Sequence, residues 1–120
     1  MQSRTILVVD DEYDIASTLE LALEMEGYSI RTAFNGREAV LLLDGGLRPQ
    51  LILTDMMMPV MDGYEFVETL KKSDEHKKIP IILMSAAQID LNRLPTEGWV
   101  SFVRKPFDLD SLIDLIASLF

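Results

Sequence analysis

Short apolar runs alternate with longer amphipathic stretches five times along this chain. Thr5-Ile6-Leu7-Val8-Val9 is the first run, solid enough to read as a strand covered on both faces. Residues 14–26 follow with Ile15, Leu19, Ala22 and Leu23 at helical spacing, and Gly27 closes that helix. Over residues 28–33, Tyr28, Ile30 and Thr32 alternate with Ser29 and Arg31, the period of a half-buried strand. Asn35 caps a short helix carrying Ala39, Val40 and Leu43, which Gly45-Gly46 stops. Strand three spans residues 51–54. Helix three spans residues 64–72, with Phe66, Val67 and Leu70 inward. Pro80 opens strand four, residues 81–84, where a missing donor is tolerated. Strand five is residues 100–104, and the last helix starts from Asp108 and carries Leu109, Leu112, Ile113, Ile116 and Leu119.

This alternation predicts right-handed βαβ units and a doubly wound α/β fold around a parallel sheet. Strands one, three and four are apolar throughout, as central strands must be, while strands two and five carry polar residues at alternate positions and suit the edges. The flavodoxin-like order 2-1-3-4-5 satisfies both, and it places the topological switch point between strands one and three. The whole chain, residues 1–120, reads as one domain, because its length suits a single core and no linker or repeat divides it.

The net charge of −9 argues against direct nucleic-acid binding and against anionic membranes. No apolar run reaches membrane-spanning length, and Met1-Gln2-Ser3-Arg4 leads into the first strand without room for a signal peptide. A cytoplasmic location is expected. The absence of cysteine excludes disulfides, thiolate metal sites and cysteine nucleophiles.

The chemistry lies where strands run out. Asp10-Asp11 ends strand one, Asp55 ends strand three, and Lys105-Pro106 ends strand five. In an open parallel sheet these ends border the ligand crevice. Three carboxylates against one ammonium leave a local charge of −2. At about 4 Å and an effective dielectric near 20, each carboxylate pair repels by roughly 4 kcal/mol. Such a site either takes up protons or holds a divalent cation, and a hard all-oxygen set beside a lysine suits Mg²⁺ and a phosphoryl group. An aspartate at a strand–helix junction is also a good cap, but two followed by Glu12 exceed that need. Asp55 fits a turn residue or a phosphoryl nucleophile. Ser85 fits a helix cap or a donor to a phosphoryl oxygen, with Ala86 and Ala87 leaving room beside it. Lys105 fits an ion pair and a phosphate contact, and the two are compatible. His76, among Glu75, Lys77 and Lys78, reads as a solvated loop residue, and Phe102 as half-buried on an edge strand. Met56, Met57, Met58 and Met61 fit core or a soft partner surface. Trp99 receives no assignment.

Taken in order and at this spacing, Val8-Val9-Asp10-Asp11-Glu12, Leu53-Thr54-Asp55-Met56-Met57-Met58-Pro59 with Asp62-Gly63, Ile82-Leu83-Met84-Ser85-Ala86 and Phe102-Val103-Arg104-Lys105-Pro106-Phe107 resemble the response-regulator receiver domain of two-component signalling. The resemblance covers essentially the whole chain. It implies that Asp55 is the phosphoacceptor, charged from a phosphohistidine of a sensor kinase or phosphotransfer protein. It also implies that Asp11 and Asp55 bind Mg²⁺ directly, with Asp10 acting through water and the Met57 carbonyl joining them. Ser85 and Lys105 would hold the phosphoryl oxygens, Phe102 would be the switch aromatic, and the Lys105–Pro106 peptide would be cis. The protein would catalyse only its own phosphorylation and dephosphorylation, and would switch the surface near strands four and five for an output partner.

One region departs from the family. Asp90 to Leu94 offers a turn or two where a fourth helix belongs, Pro95 interrupts the segment, and Glu97 and Trp99 replace small residues. A haloacid-dehalogenase-type phosphatase would need a second acid at the position of Met57, and a flavin carrier would need a hydroxyl- or glycine-rich loop where Asp10-Asp11-Glu12 stands. An unphosphorylated interaction module leaves the acid set unexplained.

Overall fold

A computed structural model describes residues 4–96 and 99–120. Five strands, β1 (Thr5–Val9), β2 (Ser29–Ala33), β3 (Leu51–Asp55), β4 (Ile81–Ser85) and β5 (Ser101–Arg104), form one all-parallel sheet in the order β2-β1-β3-β4-β5. That is the order the apolar pattern requires. Every residue of β3 and β4 is buried, whereas β2 and β5 alternate, because only the central strands are covered on both faces.

Helices α1 (Tyr13–Met25) and α4 (Leu109–Ser118) cover one face over Ile6, Val8, Leu53 and Met84. Helices α2 (Gly36–Asp44) and α3 (Gly63–Lys71) cover the other over Leu7, Val9, Ile52 and Leu83. The caps act where the sequence places them: Asn35 accepts from the Glu38 N–H at 2.9 Å and Asp108 from the Asp110 N–H at 3.2 Å. Gly27 follows α1 at φ 97°, a conformation that a side chain would strain. Among its described residues the fourth connection holds one 3₁₀ turn, Leu91–Arg93, capped by Asp90, in agreement with the shortened fourth helix.

Two expectations change, those for His76 and Leu119. His76 is buried, not solvated: its Nδ1 lies 3.2 Å from Ser73 Oγ, which also accepts from the His76 N–H at 3.3 Å. Leu119 ends beyond the last turn and is exposed. Phe102, 40% exposed on the edge strand β5, is half-buried as expected. The departure noted at Glu97 lies outside the described residues. No described helix is long and apolar enough to cross a membrane.

Candidate functional site

The register of the sheet assembles the site. β1 and β3 are neighbours with Val9 opposite Thr54, so Asp10 and Asp55 emerge side by side at the switch point. β4 and β5 pair Ser85 with Arg104, which sets Lys105 just beyond. Asp10, Asp55, Ser85 and Lys105 are all buried polar residues, while Asp11 is exposed at the mouth.

Carboxylate oxygens of Asp10, Asp11 and Asp55 lie within 4.8 Å of one another. Opposite oxygens of an octahedral Mg²⁺ stand about 4.2 Å apart, so this hard, all-oxygen set is of the right kind and close to the right span. Asp10 is the most committed of the three. One oxygen accepts from the Glu12 N–H at 2.9 Å, and the other accepts from Lys105 Nζ at 2.7 Å. Asp55 Oδ1 accepts from the Met56 N–H at 2.9 Å and stands 3.5 Å from Lys105 Nζ. Its other oxygen has no hydrogen bond among the described residues. Glu12 also reaches Lys105, at 3.5 Å. That contact was missed in the sequence, where Glu12 counted only as an acid beyond capping needs.

Burial, and then the Asp10 charge, push the Asp55 carboxyl up to about 6, against the opposing pull of Lys105 and the Met56 N–H. Burial likewise raises Asp10, in spite of its hydrogen bond to Lys105. For Lys105, burial works against the ammonium, but the bond to Asp10 and the charges of Asp10, Asp55 and Glu12 outweigh it and raise the pKa. The lysine is therefore held protonated. Without a cation, one lysine compensates these acids incompletely.

The loop after β3 is held tightly. Asp62 caps α3 by accepting from the Glu65 N–H at 2.9 Å, and the Gly63 N–H donates to the Met56 carbonyl at 3.0 Å. Val60 adopts φ 69°, and the Met61 N–H donates to Pro59 O at 2.8 Å, closing a three-residue turn. The methionines divide accordingly. Met56 and Met58 are core, Met61 packs against the core, and Met57 is 62% exposed. Ser85 Oγ accepts from the Ala87 N–H at 3.1 Å, which leaves its own proton free to donate. The Lys105–Pro106 peptide is cis, as expected.

A family model for the response regulator receiver domain matches residues 6–117. The chain belongs to this family. The receiver domain is 35% identical over 117 residues to sporulation initiation phosphotransferase F of Bacillus subtilis (strain 168), with 97% of this chain and 93% of that protein covered. It is 32% identical over 119 residues to the probable transcriptional regulator ycf29 of Porphyra purpurea, covering 98% of this chain but only 56% of that protein. The chain thus spans little more than half the length of that relative. Among solved structures it resembles the response regulator protein TrrA of Thermotoga maritima, determined in complex with Mg²⁺ and BeF. Identity there is 34% and the TM-score 0.84, over 98% of this chain and 99% of that one.

In this receiver, Phe102 borders a cavity of about 260 Å³ on the side where, among the described residues, the fourth helix is reduced to one turn. Trp99, unassigned from sequence, forms part of the same wall and donates from Nε1 to Pro95 O at 3.3 Å.

Proposed function

We propose that Asp55 accepts a phosphoryl group from the phosphohistidine of a sensor kinase or histidine phosphotransfer protein, with Mg²⁺ bound by the neighbouring acids. The observation that carries this reading is the asymmetry of the Asp55 carboxylate. One oxygen is pinned by the Met56 N–H and faces Lys105, while the other is unengaged among the described residues. That free oxygen forms the new P–O bond as the donor's N–P bond breaks, and the imidazole keeps the electron pair. Asp11 and Asp55 would hold the cation directly with the Met57 carbonyl, and Asp10, already engaged on both oxygens, would act through water. When bound, Mg²⁺ polarises the phosphoryl oxygens and offsets the repulsion among the carboxylates. Ser85 donates its free hydroxyl proton, and Lys105 its ammonium, to the transferred group.

The protein catalyses only its own phosphorylation and dephosphorylation, and acts by presenting an altered surface near β4 and β5. Phe102 is placed to report the change, because the cavity beside it offers room for the ring. We assign it to the cytoplasm as part of this reading, and its −9 charge disfavours contact with anionic membranes and nucleic acid. The reading is tested by incubation with a small acyl phosphate and measurement of intact mass. One phosphoryl group should be gained in Mg²⁺ and essentially none in chelator; equal gain in both would refute the metal requirement.

Lys105→Ala should stay folded and bind Mg²⁺, yet lose the response to modification. The ammonium contributes most when a phosphoryl group arrives, since the unmodified acids can pair with the cation instead. Amide spectra recorded with and without a beryllofluoride mimic should differ for the parent and coincide for the variant. A variant that shifts like the parent would remove Lys105 from the switch.

The phosphorylated form should decay slowly. Hydrolysis needs a water aligned by a polar side chain, and the two residues we place at its approach, Met57 and Ala87, are a thioether and a methyl. Met57→Asn and Ala87→Glu should each shorten the lifetime by about tenfold or more, within the range of general-base assistance. Decay of purified phosphoprotein freed of donor measures this, and unchanged lifetimes in both variants would discard the explanation.

A further inference from the structure

Among its described residues the β4–β5 connection supplies one 3₁₀ turn, where α2 and α3, on the same face, each supply nine residues of helix. What remains is a cavity of about 260 Å³ floored by the fully buried Leu83 and walled by Ile89, Leu91, Trp99 and Phe102, with Gln88 and Arg104 also bordering it. We propose that this cavity is a binding site for a small apolar carboxylate, an aromatic ring or short branched chain bearing one anionic group.

Three observations point there. Apart from Gln88 and Arg104 the walls are hydrocarbon and aromatic, so an apolar group would gain contact on several sides. The volume sets the ligand's size: a cavity of about 150 Å³ suffices for benzene, so this one takes a ring with a short substituent. Charge sets its sign. Arg104 is exposed and forms no ion pair among the described residues. Arg93, by contrast, is occupied by Asp62 at 3.5 Å and by the Tyr64 ring. Among the described residues, no aspartate or glutamate lines the cavity. Arg104 is therefore available to an anion at the cavity's edge, with Asp90 at the adjoining pocket as the nearest competing charge among the described lining residues. A guanidinium matches a carboxylate with two parallel hydrogen bonds, and the aromatic walls match the ligand's body.

The test uses the unmodified receiver, so it stands apart from the phosphorylation reading and the two can fail separately. Trp99 is the only tryptophan of the chain and forms a cavity wall, so its emission reports occupancy. Phenylacetate and 3-methylbutyrate are titrated, with phenylacetamide as the uncharged control, and amide chemical shifts locate the site. Saturable binding is expected, with shifts centred on Ile89, Leu91 and Phe102. Phenylacetate should bind at least about fivefold more tightly than its amide, as one charge-assisted contact supports. Arg104→Gln should bring the acid down to the affinity of the amide and leave the amide unchanged. No saturation by about 10 mM, corresponding to binding weaker than a useful millimolar site, would overturn the proposal. So would shifts centred elsewhere. Equal affinity for acid and amide in the parent would overturn it too, and would point to a neutral apolar group, such as a partner's side chain, as the occupant.

Discussion

Asp55→Asn should abolish phosphoryl gain and, in metal-free buffer near neutral pH, make the protein more stable than its parent. The first effect follows because the amide lacks the anionic oxygen that attacks. The second follows from the cost of burying Asp55 beside Asp10. The folded state raises the Asp55 pKa from 3.8 to about 6, so between those values it binds a proton that the unfolded chain releases. The associated stability is complete below pH 3.8 and is lost as pH rises through about 6. Above that range the parent carries an unfavourable buried charge, which asparagine never develops. The expected gain is about 1 to 3 kcal/mol, the upper figure being the full shift converted to free energy. Saturating Mg²⁺ should narrow the difference, because a cation that binds only the folded parent stabilises it by mass action. Urea titrations at pH 4 and pH 7.5, with and without Mg²⁺, separate these contributions. A variant no more stable than the parent at pH 7.5 without metal would show that Asp55 is not under strain. Retained phosphorylation would move the acceptor elsewhere.

Gly63→Ala should be among the most damaging single-methyl changes in the chain. A Cβ at this position would stand 2.5 Å from the Asp55 carbonyl oxygen, 2.6 Å from Met56 Cα and 2.7 Å from Met56 Sδ. Two of those three atoms are backbone of the strand end that presents the phosphoacceptor, so a flexible side chain cannot simply turn away. Relief requires α3 to back off from β3, which breaks the Gly63 N–H to Met56 carbonyl bond. The cost should be about 3 kcal/mol or more, at the upper end for overpacking. For a domain of this size that lowers Tm by roughly 10 °C. Phosphorylation should fall as well, since Asp55 is displaced with the strand end. Thermal unfolding followed by circular dichroism decides the matter: a Tm within about 3 °C of the parent's, at the scale set by these slopes, would mean that the contact relaxes at little cost.

Much of the architecture was already written in the order of residues. Solid apolar runs at residues 5–9, 51–54 and 81–84 leave no polar face, so those strands must lie inside a sheet covered on both sides. The alternating residues of 28–33 and 100–104 can only be edges of the same sheet. Once that order is fixed, Asp10 and Asp55 must share the switch point, and Lys105 must end the last strand near them. The weak fourth helix was legible too, because Asp90 to Leu94 followed by Pro95 has no room for more than a turn.

Other features depend on contacts between residues far apart in the chain. The sequence offers three acids to one lysine; only the packed strands select Asp10 as its 2.7 Å partner, with Asp55 and Glu12 each at 3.5 Å. His76 stands among charged neighbours and reads as solvated, yet the loop buries it beside Ser73, which local polarity could not reveal. In the sequence Gly63 is only part of the Asp62-Gly63 pair that carries the resemblance, while its need for a missing Cβ comes from the distance between α3 and the end of β3. The cavity beside Phe102 lies in a layer that the described residues of the β4–β5 connection leave unfilled. Periodicity and strand-end chemistry are properties of neighbouring residues, so the sequence determined by itself the fold, the crevice and its charged members. Pairing, burial and empty space are properties of surfaces brought together over as many as 95 positions, and these only the tertiary structure decided.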